Sequence, residues 1–162
     1  MTPDTDFEIT PLSANSLAEM IRLTRLYFQE QDLVPEFHAL DQDLTQPLIV
    51  YAPPRGNFWL VRASGQEERA VGMLGVMPLA KRTCEIKRLY LASEYRGKKW
   101  GGKLLEHALA FARRAEYLEV LVSLQHEQKA ALNLFAHQGF KPCARFSEHQ
   151  HAGIFLTLKL NT

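Results

Sequence analysis

Cysteine is scarce in this chain: only Cys84 and Cys143 occur among its 162 residues. Two thiols are too few for a disulfide framework, so an apolar core must hold the fold together. Long hydrophobic runs are missing too, and none reaches the ~18 residues that a membrane helix needs. Thr2 to Glu8 is polar and acidic, unlike a secretory leader. Neither charge sign prevails: 19 Lys and Arg against 18 Asp and Glu leave a net charge of +1, which argues against a general nucleic-acid binder. No low-complexity linker or internal repeat divides the chain. These absences lead to an expectation of one domain over residues 1–162, in a reducing, cytoplasmic setting, with neither nucleic acid nor membrane as partner. A domain of ~150 residues can bury about 70% of its unfolded surface.

What is present is concentrated positive charge, around Lys81–Arg88 and again in Tyr95-Arg96-Gly97-Lys98-Lys99-Trp100-Gly101-Gly102-Lys103. The second cluster lies between an extended apolar segment, Ile86–Leu91, and a helical one, Leu104–Tyr117. A strand that ends in a glycine- and base-rich turn and opens a helix suits a phosphate. The first helical N–H groups lack intrahelical acceptors and carry partial positive charge. Glycines let an anion approach that backbone closely. Gly97, Gly102 and Lys103 have the spacing of a nucleotide-binding P-loop. However, the Mg²⁺-binding Ser or Thr is replaced by Leu104, and Ala92–Tyr95 separate strand from loop.

The remaining pattern predicts a layered α/β or α+β domain. Strands are expected at Phe7–Leu12, Asn57–Ala63, Val71–Met77 (closed by Pro78), Thr83–Leu91, Glu119–Leu124, Phe140–Phe146 and Gly153–Leu160. The turn Ser64–Glu68 predicts a hairpin. Helices are expected after a capping box at Ser16-Leu17-Ala18-Glu19, over Glu36–Leu44, from Leu104, and over Gln128–His137 with Gly139 as its C-terminal stop. Tyr27 belongs to the inward stripe of the first helix.

Cys84-Glu85-Ile86-Lys87-Arg88-Leu89-Tyr90-Leu91 followed by Tyr95-Arg96-Gly97 and Gly101-Gly102-Lys103-Leu104-Leu105 resembles motif A of the GNAT-type N-acetyltransferases. Lys129–Phe135 followed by Gly139-Phe140-Lys141-Pro142 resembles that superfamily's motif B, in the expected order. The resemblance implies a mixed, mostly antiparallel sheet of six or seven strands, with helices on both faces and a splay between the fourth and fifth strands. It implies acetyl-CoA as acyl donor and direct transfer to a primary amine on an unidentified small molecule or peptide. Leu89 and Leu91 would offer backbone groups to the pantetheine arm. Arg96, Gly97, Lys98, Lys99, Trp100, Gly101 and Gly102 would surround the pyrophosphate, and Gln128 and Phe135 would border the donor. A homodimer is compatible with the family but nothing in the sequence decides it.

Acetyl transfer requires a neutral amine, a donor for the oxyanion and a proton for the departing thiolate. Glu85 stands where many members of the family place a general base; alternatively it pairs with Lys87 or Arg88, which could themselves recognise an acceptor carboxylate. Two departures from the family pattern stand out. Lys99 replaces the central glycine of motif A, and Phe135 replaces the usual general-acid tyrosine. His126 is a candidate substitute acid or base. His149, His151 and Cys143 read as a polar loop, and no metal is expected. A non-catalytic acyl-CoA-binding module is the alternative, with a P-loop-like nucleotide-binding protein more distant.

Overall fold

The computed structural model describes residues 7–32, 39–65, 69–147 and 152–161. The chain runs β1 (Phe7–Pro11), α1 (Leu17–Glu30), α2 (Pro47–Val50), β2 (Asn57–Ala63), β3 (Ala70–Ala80) and β4 (Thr83–Leu91). It continues with α3 (Trp100–Arg114), β5 (Glu119–Leu124), α4 (Lys129–His137), β6 (Lys141–Pro142) and β7 (Ile154–Lys159). The seven strands form one sheet in the order β1-β2-β3-β4-β5-β7-β6. Every neighbouring pair is antiparallel except β4 and β5.

Period-two alternation assigns the two faces. On β2, Phe58 and Leu60 turn toward Met20 and Leu23 of α1. Trp59 and Val61 turn instead toward Leu104, Leu105, Ala108 and Leu109 of α3. Each of those leucines is fully buried or nearly so, a burial of about 1.5–3 kcal/mol apiece. A charge at Leu105 would break this layer.

The splay is observed. β4 and β5 pair only at Thr83–Glu119, Cys84–Val120 and Glu85–Leu121. β5 keeps pairing with β7 as far as Leu124 on its other edge. The cause lies in β4. Lys87 opposes Gly75 and Tyr90 opposes Met73, so Arg88 and Leu89 together face the single residue Leu74. This is a β-bulge, which bends its strand and disrupts the ladder. Arg88 takes a left-handed backbone with φ +62°, a cost of about 1–2 kcal/mol for a residue with a Cβ. The extra residue also switches the alternation. Cys84 and Ile86 point to the α3 face, but beyond the bulge Leu89 and Leu91 pack there while Tyr90 joins the α1 cluster.

Several boundaries differ from expectation. α1 is not opened by a Ser16–Glu19 box. Ser16 instead bonds back to the Ser13 backbone across a 3-10 turn, and Glu19 pairs with Arg22. Pro78 does not end β3; it faces Cys84 next to a register shift, where a missing N–H is tolerated. α3 begins at Trp100 rather than Leu104, taking Gly101 and Gly102 into its first turn. Of the expected Phe140–Phe146 strand, Lys141 and Pro142 pair with β7, and the Cys143 N–H donates to the Phe155 carbonyl at 2.8 Å before the chain leaves the sheet. A 3-10 turn at Ala39–Leu44 stands where a helix was expected over Glu36–Leu44. Residues 36–38, residues 66–68 of the predicted hairpin turn, and His149 and His151 lie outside the described residues.

Candidate active site

The gap between β4 and β5 opens into two connected spaces. The outer one is a cleft of about 460 Å³. It gathers Leu89, Leu91, Arg96, Gly97, Lys99, Gly101, Gly102 and Gln128, all named from the sequence as donor-binding residues. The inner one is a chamber of about 70 Å³, which holds Glu85, Lys87, Arg88 and Phe135. Tyr27, Leu89, Gln128 and Ala131 line both spaces and therefore mark their junction.

A helix N-terminus and three glycines line the outer cleft. α3 points its N-terminus into it, and the amides of its first turn have no acceptor within the helix. Gly97 has φ +78° and open space where a Cβ would stand. A Cβ on Gly101 or Gly102 would lie 3.4 or 3.8 Å from the methyls of Leu134, across the cleft. Bare glycines there keep the backbone accessible. Lys99 caps the helix with φ +66°, the left-handed geometry that a glycine would take without strain.

Not all the basic side chains face this cleft. Arg96 donates from Nε to the Leu91 carbonyl at 2.7 Å and from its terminal nitrogen to Glu30 at 2.6 Å. Tyr90 donates to the other Glu30 oxygen at 2.8 Å. The Lys98 ammonium sits 5.7 Å from the centre of the Tyr95 ring. The Trp100 ring is buried between Tyr95 and Phe7, with centroids 5.2 and 4.9 Å away, so toward a ligand it has its backbone amide to offer. His126 lines neither space: its exposed ring rests over Gly153, where a Cβ would come within 2.6 Å of Nε2.

In the chamber, Glu85 is only 5% exposed, on the last β4 residue paired with β5. Arg88 is engaged by Asp43, with Nε and a terminal nitrogen at 2.9 and 2.7 Å from its two oxygens. Tyr51 donates to Asp43 at 2.6 Å and Lys87 stands 3.8 Å away. Burial alone would raise the Asp43 pKa. The hydrogen bonds and charge of Arg88, with Lys87 and Tyr51, outweigh it and hold the carboxyl below its ordinary value. Phe135 is fully buried, edge-on to Phe140 at 5.0 Å. Burial also pushes the Cys84 thiol up to about 12 and raises that of Cys143. Neither is poised to act as an acyl-accepting thiolate.

Residues 17–140 match the family model described as the acetyltransferase (GNAT) family. The chain belongs to the GNAT acetyltransferases. An uncharacterised N-acetyltransferase of Schizosaccharomyces pombe is 29% identical over 120 residues, 74% of this chain and 72% of that protein. Human N-acetyltransferase 8 is 34% identical over 109 residues, 64% of this chain and 47% of that protein. The chain thus spans about half the length of the mammalian relatives it matches. Among solved structures, a GNAT acetyltransferase of Staphylococcus aureus superposes with a TM-score of 0.85 at 19% identity, covering 96% of this chain and 100% of the other. PaiA N-acetyltransferase of Thermoplasma acidophilum, in complex with coenzyme A, gives 0.75 at 19% identity over 96% and 99%. At such identities the likeness is one of fold. Within this GNAT chain, no described helix is long and apolar enough to cross a membrane. No group of three or more potential metal-ligating side chains occurs among the described residues.

Sequence reasoning did not single out Glu30 or Asp43, and it read Tyr27 as core. The spacing of Tyr27 and Glu30 puts both on one face of α1, but that stripe looks like ordinary packing. Asp43 had no local signal, because Arg88 reaches it from 45 residues away.

Proposed function

We propose that this chain transfers the acetyl group of acetyl-CoA directly to a primary amine. The observation that carries this reading is the continuity of the β4–β5 splay. An anion-binding helix terminus, a run of strand backbone and a chamber holding a buried carboxylate lie along one path. The pyrophosphate would meet the first-turn amides of α3 with Arg96 and Lys99 nearby. The pantetheine arm would add to the edge of β4 beside Leu89 and Leu91, and the acetyl group would reach the chamber. Glu85 would take the amine's proton, directly or through water. The inert cysteines favour direct attack within a ternary complex over a covalent acetyl-enzyme.

Phe135 supports the second reading, an acyl-CoA-binding module without turnover, because a phenyl ring has no proton to give. Two measurements separate these readings from each other and from a nucleotide site. CoA should raise the melting temperature by mass action, and ATP–Mg²⁺ should not. A panel of amines assayed by thiol release should then contain acceptors. Stabilisation by ATP–Mg²⁺ alone would overturn the acyl-CoA reading, and CoA binding without any transfer would favour the module.

A further inference from the structure

Among the described residues, the outer cleft and the inner chamber share four lining residues: Tyr27, Leu89, Gln128 and Ala131. An acyl thioester lying in the cleft with its acyl end in the chamber must place its sulfur beside them. The departing sulfur carries the electron pair of the broken C–S bond and gains from a proton donor. Leu89 and Ala131 have no acidic side-chain hydrogen, and a carboxamide such as Gln128 is not an acid at ordinary pH. Tyr27 carries a phenol, whose O–H can donate a proton to sulfur. Ser123, Lys87 and Glu85 line the chamber but not the cleft, and Arg88 cannot deprotonate.

Its surroundings suit a positioned hydroxyl. The Tyr27 ring is fixed edge-on by Phe28 at 5.3 Å and by Tyr90 at 6.2 Å. Gln128 Nε2 lies 3.4 Å from the Tyr27 oxygen. The same Gln128 is held by its other amide atom, Oε1, which accepts the Gln125 backbone N–H at 2.8 Å. Gln128 therefore presents its N–H to the phenol oxygen, which accepts it.

We propose that Tyr27, on α1, is the catalytic acid for the leaving thiolate, a task that Phe135 on α4 cannot perform. This rests on the acetyl-transfer reading above. The amine nitrogen bonds to the thioester carbonyl carbon and loses a proton to Glu85 or water. The C–S bond breaks, and its electron pair on sulfur takes the Tyr27 proton, giving the amide and free thiol. Solvent then reprotonates Tyr27 through the open cleft.

The test uses Tyr27→Phe, which keeps the ring. With acetyl-CoA and an active amine, kcat should fall by about 10²-fold while the KM for acetyl-CoA stays within a few-fold. Tyr27→Phe combined with Phe135→Tyr should recover part of that loss. A second measurement needs no acceptor and no variant: the thiol of CoA bound to wild type, titrated by thiolate absorbance, should be more acidic than that of free CoA. In Tyr27→Phe the thiolate fraction at a given pH should drop about tenfold. Unchanged kcat and an unchanged thiol titration overturn the proposal even where the wild type is a good acetyltransferase. Failure of wild type to bind CoA overturns it together with the acetyl-transfer reading. A Tyr27-dependent thiol titration without transfer to any amine supports the placement of Tyr27 and sinks only the transfer.

Discussion

Asp43 and Arg88 meet through both carboxylate oxygens, at 2.7 and 2.9 Å, with the pair almost fully buried beside the chamber. The bulge makes this contact possible, because it places Arg88 on the same side as Lys87 instead of the opposite one. The guanidinium also lies 5.6 Å from the centre of the Phe28 ring. The pair therefore ties the chamber wall of β4 to the segment before α2 and to α1.

Removing one partner leaves a buried charge without compensation. Asp43→Ala should cost about 3–5 kcal/mol of stability, measured by urea unfolding. Because the Asp43 pKa is depressed below 3.8 in the folded state, its contribution is complete above that value. It is lost as pH falls through the lower folded value. Asp43→Asn should flatten this acid limb of the melting temperature. An identical acid limb in the variant would place the linkage elsewhere.

Glu30 holds Arg96 at the rim of the cleft proposed to receive the anionic donor. Their side chains are 37% and 46% exposed, so Glu30→Gln should barely change stability. It should tighten CoA binding by about two- to fivefold, since a weak exposed pair is released and a negative charge leaves the cleft. Calorimetric titration reads this directly. Weaker binding in the variant would mean that Glu30 aims Arg96 at the ligand.

Lys99→Gly separates fold from ligand. Relief of the left-handed backbone, less the extra chain entropy of glycine, should stabilise the protein by roughly 0.5–1 kcal/mol. CoA affinity should fall, because an ammonium beside the phosphates is lost. Gains in both stability and affinity would show that the Lys99 side chain does not serve the donor.

Glu85→Gln should leave CoA binding intact and lower kcat by about 10²-fold, most strongly below the pKa of the acceptor amine. A pH–rate profile parallel to wild type would remove Glu85 from proton abstraction.

Much of the sheet was legible because its strands carry local signals. The strand composition of Asn57–Ala63 and the apolar run Glu119–Leu124 match the observed elements residue for residue. The cleft was legible through Arg96–Gly102, where glycines and bases cluster in sequence as they do in space. The chamber was less so. Asp43, Tyr51 and Arg88 converge through tertiary packing, and no periodicity marks such a meeting. Pro78 misled because its cost depends on whether a partner needs its N–H, which only the register reveals. Gly101 and Gly102 hid the start of α3, since low helix propensity yields to the buried stripe that follows.

The bulge of β4 behaves like a one-residue insertion in a reading frame of faces. Upstream of it the odd positions Glu85 and Lys87 look toward α1, and downstream the odd positions Leu89 and Leu91 look toward α3. Deleting Arg88 would leave Lys87 facing α1 and Leu89 facing α3 in simple alternation, so the residues beyond it would keep their faces while the bulge and the partner of Asp43 were lost. Straightening the strand with Arg88 still in it would instead exchange the faces: Tyr90 would turn away from Glu30, and the leucines would leave the layer beneath α3. The faces beyond Lys87 thus hold only while Arg88 stays outside the ladder, and the single extra residue serves the chamber rather than the core.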